Sequence, residues 1–170
     1  RVHTMPPGAY AAATGAITAS MGIKFGLVPL HFWQAPAYHA AGSATAALLS
    51  GCAMKVYIYA LVRLLFHMLR MAVLFPPVFL LLLVLGVVNI IVGHLAALSE
   101  RDLKRMLAFS SVAHVGYILV GFSALAVDGP ADAGKRAAGA ALLHVVYHAI
   151  MKSTLFYSGR RLSAPGRSSV

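Results

Sequence analysis

Apolar positions gather into five long stretches, over about residues 9–33, 43–66, 78–98, 106–127 and 137–158, separated by short polar ones. At ~1.5 Å per residue each stretch, as a helix, is long enough to cross the hydrocarbon core of a bilayer. The pattern predicts an all-α, polytopic transmembrane helix bundle of about five spans, followed by a basic tail over 159–170. The first stretch is the weakest, rich in Ala, Gly and Thr. Pro29 removes a backbone hydrogen bond in its second half, so a kink or break is expected near Gly26 to Pro29. Broken membrane helices line protein-enclosed or watery cavities. The third stretch is the most conventional span, with Asn89 and His94 as its strongly polar members, and is expected to face lipid or serve packing. The fourth carries His114 and the small residues Ser110, Ser111, Ala113 and Gly116, against which another helix can pack closely. The connections are an uncharged loop over 34–41, Pro76-Pro77, the mixed-charge turn Glu100–Arg105, and a loop over 128–136 that contains Gly129-Pro130.

Composition agrees with this reading. The chain has 170 residues, 60% hydrophobic and 11% charged, and a mean hydropathy of +0.81 excludes an ordinary soluble domain. A formal charge of +10 raises nucleic acid as a partner. The basic residues stand at segment ends and inside apolar runs rather than clustering with aromatics, so no nucleic acid is expected and the lipid bilayer is. Arg63, His67 and Arg70 end the second stretch within reach of the interface, and Arg160, Arg161 and Arg167 mark the tail. Lys and Arg outside the spans divide almost evenly between the two sides and do not orient the chain. The single cysteine, Cys52, excludes an internal disulfide framework. The start at Arg1 without a leader-like segment is what a split or processed subunit, or a partial sequence, would present.

The polar minority inside the apolar stretches carries the candidate chemistry. His144, His148 and Lys152 stand at i, i+4 and i+8 and share one helical stripe. Singly, such residues are read equally well as interhelical hydrogen bonders or as a lysine snorkelling to the surface. A metal site is the other reading, since two histidines four apart can share a ligand, but a third ligand and the HExxH pattern are missing, so no metal is expected. If the stretches alternate direction, Lys24, Lys55, His114, His148 and Lys152 all fall in about the middle half of the bilayer. A lateral row of basic groups at one depth is what a proton or ion path along the membrane plane requires. Burial drives a lone lysine toward its neutral form and a nearby carboxylate restores the charge, so such a site toggles when its partner moves. The four acids, Glu100, Asp102, Asp128 and Asp132, are all assigned to loops. Counter-ions for the buried lysines are therefore expected from another polypeptide.

Gly22–Trp33, with Lys24 and Pro29, resembles the lysine-bearing broken helix of the proton-translocating antiporter-like subunits shared by respiratory complex I, membrane-bound hydrogenases and multisubunit cation/proton antiporters. Lys55 with Tyr59 and Arg63, then Leu103–Tyr117, then His144, His148 and Lys152, resemble successive signatures of that family in its own order. The Lys55, Tyr59, Arg63 spacing is most similar to the NADH dehydrogenase subunit 4 type and its relatives among the multisubunit cation/proton antiporters. The resemblance covers the family's seventh to eleventh helices out of about fourteen. It implies that Lys24 is the central toggling lysine, paired with a glutamate two helices earlier, that Lys55 connects, and that His114, His144, His148 and Lys152 relay protons. It also implies other membrane-arm subunits as partners, including a chain supplying the carboxylate for Lys24, with flavin, iron-sulfur clusters and quinone in partner subunits. No cofactor is expected in this chain, which has neither a CxxC-type cluster motif nor a GxGxxG fingerprint. Where the family commonly has Leu-Pro-Asp or Leu-Pro-Glu after the tryptophan, this chain has Gln34-Ala35-Pro36-Ala37. The function expected is proton translocation in the membrane arm of a complex I type enzyme, in the mitochondrial inner membrane or a bacterial cytoplasmic membrane. The alternatives are a sodium/proton antiporter subunit and a structural remnant with no working channel.

Overall fold

A computed structural model of the chain describes residues 6–69, 76–126 and 132–162. Arg1, Arg70, Asp128, the Gly129-Pro130 connection and Arg167 lie outside them, as do the side chains of His67, Arg160 and Arg161. The described residues form seven α-helices: α1 (Pro7–Phe25), α2 (Gln34–Ala40), α3 (Ser43–Leu48), α4 (Met54–Leu69), α5 (Pro76–Ser99), α6 (Leu103–Ser123) and α7 (Ala133–Leu162). A π-helical turn, Leu49–Ala53, joins α3 to α4 without interruption, and a short 3-10 turn, Ala124–Ala126, follows α6. The architecture is a polytopic helical bundle, as the pattern of apolar stretches predicts.

The break in the first stretch is present. α1 stops at Phe25, and Gly26 takes a left-handed conformation with φ 79° and returns its amide to the Gly22 carbonyl. The Val28–Pro29 bond is cis. The segment expected as a loop over 34–41 is instead mostly helical, as α2, and it buries Gln34, Ala35 and Tyr38. Its uncharged composition permits that burial, and Trp33 directs its indole N–H to the Ile23 carbonyl at 2.6 Å, folding the chain back on α1. At the mixed-charge turn, Asp102 caps α6 by accepting the Arg105 amide at 2.9 Å, so Lys104 and Arg105 belong to the first turn of the helix. α7 continues through Leu162, into the expected tail.

By length and composition, Ser43–Leu64, Leu80–Ser99 and Leu103–Ser123 are, among the described residues, the helical stretches long and apolar enough to cross a membrane. α1 is rich in Ala, Gly and Thr, and α7 carries histidines and basic residues among its apolar positions.

α5 and α6 pair along most of their length, α7 lies on α6 and on α3, and α1 packs on α4. Two apolar clusters result. One joins Phe25, Leu27, Met54, Ile58, Leu61, Leu82, Val115, Ile118 and Ala141. The other joins Ala35, Tyr38, Ala46, Leu107, Ala108 and Phe156. Along α6 the second cluster comes first and the larger one last, and along α7 the order is reversed, as antiparallel neighbours require. Between them, interleaved with small and apolar residues, lie the polar side chains Ser111 and His114 on α6, His148 and Lys152 on α7, and Ser50 on the turn that joins α3 to α4.

Candidate functional site: a basic layer between two apolar clusters

That intermediate layer collects five of the six expected relay residues. α4 supplies Lys55, α6 supplies His114, and α7 supplies His144, His148 and Lys152. Lys152 is 1% exposed, and its ammonium donates to the Leu107 carbonyl at 2.9 Å. Lys55, also buried, donates to the Ser50 carbonyl, which lies in the π-helical turn. A π turn shifts the usual i→i+4 register, and here it precedes the lysine by less than one turn. The close approach of α7 to this turn depends on Gly51, where a Cβ would overlap the hydroxyl of Ser153, the neighbour of Lys152.

Two buried hydroxyls connect the lysine anchors. Ser111 donates to the same Leu107 carbonyl at 2.9 Å, and its oxygen lies 3.1 Å from that of Ser50. Tyr38 lies beside Ser50 and accepts from the Gln34 amide at 3.3 Å. Gln34, Tyr38, Ser50 and Ser111 thus extend from the broken segment to the anchor of Lys152.

Three histidine rings continue the layer. His114 Nδ1 lies 3.0 Å from His144 Nε2, so the pair shares one hydrogen bond whose direction depends on tautomer. The His114 ring stands 4.7 Å from that of His148 and 5.1 Å from that of His144, between centroids. His148 is 2% exposed, and neither ring nitrogen has a hydrogen-bond partner among the described residues. Buried polar atoms are normally satisfied, so the two orphaned nitrogens set His148 apart from the other side chains of the layer. Among the described residues, no group of three His, Cys, Asp or Glu is arranged to hold a metal ion.

Lys24 stands apart. It is exposed near the end of α1, and its ammonium lies 6.0 Å from the centre of the Tyr57 ring of α4. Arg63 donates to the Tyr59 hydroxyl at 2.8 Å, and both side chains are exposed whereas Lys55 is buried. The sequence reading missed Gln34, Ser50 and Asn89, and assigned Ser111 to helix packing alone. For Asn89 a signal was present: a lone amide in the most apolar stretch of the chain.

The family described as "NADH:quinone oxidoreductase/Mrp antiporter, TM" matches residues 8–167. The "NAD(P)H-quinone oxidoreductase chain 4 1" of Synechococcus sp. (strain JA-2-3B'a(2-13)) is 38% identical over 149 residues, covering 85% of this chain and 26% of its own length. The "NADH-quinone oxidoreductase subunit N" of Desulforudis audaxviator is 40% identical over 144 residues, covering 83% and 26%. Among solved structures, a chain of the Mrp complex from Dietzia sp. DQ12-45-1b superposes with a TM-score of 0.71 at 31% identity, covering 86% of this chain and 25% of that one. The chain therefore spans about a quarter of the length of the relatives it matches.

Proposed function

Because this chain belongs to the NADH:quinone oxidoreductase/Mrp antiporter transmembrane family, we propose that it carries protons within the membrane arm of a complex I type NADH:quinone oxidoreductase. The observation that supports this best is the gathering of Lys55, Lys152, His114, His144 and His148 from three helices into one layer between two apolar clusters. Lysines there hold or release a proton as a neighbouring charge changes, and the imidazoles pass it on through their two nitrogens. Flavin, iron-sulfur clusters and quinone belong, in this reading, to partner subunits. The five stretches 9–33, 43–66, 78–98, 106–127 and 137–158 are the proposed spans. Bacterial and cyanobacterial relatives support a bacterial energy-converting membrane over the mitochondrial inner membrane.

A second reading, a subunit of a multisubunit sodium/proton antiporter, draws on the likeness to the Mrp complex. The test is made in the native assembly with Lys152→Met. Vesicles are assayed for NADH oxidation and for the acidification that accompanies it. The complex I reading expects flavin and iron-sulfur proteins to copurify, and acidification per NADH to fall roughly tenfold or more, as for loss of a proton-transfer group. Copurification without redox proteins, with sodium-dependent acidification, selects the antiporter. Full acidification in both Lys152→Met and Lys24→Met assemblies leaves only a structural remnant.

A further inference from the structure

Asn89 is a fully buried polar side chain, 0% exposed, on the largely apolar α5. Its Oδ1 accepts the Val28 amide at 2.8 Å. Its Nδ2 donates to the Gly26 carbonyl at 3.4 Å and to the Val112 carbonyl of α6 at 3.3 Å. A helix that stops at Phe25 strands its last carbonyls and the amides that follow. Asn89 serves both sides of the break with one group. Only a neutral amide offers an acceptor and two donors at once: aspartate has no donors when ionised, and leucine has neither.

The platform that carries this amide is rigid. A Cβ on Gly93 of α5 would lie 2.5 Å from the Ala113 amide nitrogen of α6, and one on Gly116 of α6 would overlap the Gly86 carbonyl. The two backbones are in contact, leaving little room for sliding. Lys24 lies two residues before Gly26, and His114 two residues after Val112. One side chain therefore spans the interval between the lysine-bearing helix end and the histidine-bearing helix.

We propose that Asn89 is a positioning residue that clamps the break of α1 to the α5–α6 pair and so sets the Lys24 ammonium at a fixed place relative to His114. The clamp rests on the proposed role of Lys24 in proton transfer, and two separate readouts keep the two apart. In the native assembly, Asn89→Leu, Asn89→Gln and Asn89→Ser are compared with the wild type by hydrogen–deuterium exchange over residues 26–33 and by the pH profile of proton translocation. Asn89→Leu is expected to speed exchange at Val28 about tenfold, the equivalent of one lost hydrogen bond, and to displace the pH of half-maximal translocation. Asn89→Gln, which keeps the amide, restores part of both. Should the leucine variant fail to assemble, Asn89→Ser carries the same expectation with a smaller, polar replacement.

Unchanged exchange at Val28 overturns the clamp. So does faster exchange with an unmoved pH profile, amplitude falling only with the amount of assembled complex, because a merely structural asparagine behaves that way. Translocation insensitive to Lys24→Met instead sinks the functional reading, while the exchange measurement still decides whether Asn89 holds the break.

Discussion

Lys152 shows how a residue that is expensive for the fold identifies itself. It is 1% exposed, and its ammonium is held by a backbone carbonyl. Neither Lys55 nor Lys152 takes part in the ion pairs found among the described residues. Replacing a lone buried ammonium by an apolar side chain of similar length relieves its desolvation. Lys152→Met is therefore expected to leave the thermal denaturation midpoint of the detergent-solubilised assembly unchanged or higher while translocation is lost. A lysine retained for structure would behave in the opposite way, with the midpoint falling and transport per assembled complex preserved.

At the scale of elements, the break in α1 and the cap of α6 make the sharpest predictions. Gly26 has φ 79°, and a Cβ there would overlap the Gln34 side-chain oxygen. Gly26→Ala is expected to destabilise by about 1–2 kcal/mol from the left-handed backbone alone, plus the displacement of Gln34. Gln34→Ala in the same chain should recover the second part and not the first, a difference visible in a double-mutant cycle of denaturation midpoints. On α6, the Arg105 amide holds the Asp102 carboxyl below its ordinary value of 3.8, helped by the His39 side chain at 3.1 Å. A lowered folded-state pKa means that this stabilisation is complete above the unfolded value and is lost as pH falls through the folded one. Asp102→Ala is therefore expected to cost about 1 kcal/mol near neutral pH, and its deficit against the wild type should shrink below pH 3.8. A deficit independent of pH would show that the carboxylate does not act as the cap.

The long helices, the break and the histidine stripe were legible because each follows from local chemistry: apolar length, a proline and a spacing of four. The α2 helix was not, because its stability comes from burying Gln34 and Tyr38 against other elements, which no local pattern records. Ser50 and Ser111 escaped for a similar reason, since small polar residues in an apolar stretch suit helix packing equally well until a partner hydroxyl is seen at 3.1 Å. Lys24 was expected among the relay residues but stands outside their cluster, and spacing along the chain contains no information about which face of α1 meets α4.

On the scale of the whole molecule, charge balance leads beyond the chain. Its formal charge is +10, and the ion pairs among the described residues, His39–Asp102, Arg105–Glu100 and Lys135–Asp132, all lie at segment ends. Lys24, beside the Tyr57 ring, is a lysine still open to a carboxylate from elsewhere. The expected outcome is that the native assembly places a carboxylate of another segment or subunit within ~4 Å of the Lys24 ammonium, which a structure of that assembly would show directly. Energetics give an independent check. Neutralising the acid alone leaves the ammonium unpaired at the contact, so assembly should suffer. Neutralising the acid together with Lys24→Met removes both charges and should restore assembly without restoring translocation. Recovery of translocation in the double variant would separate the pair from the proton path. An unpaired Lys24 in a dry, packed site would remove the toggle altogether while leaving the family assignment intact.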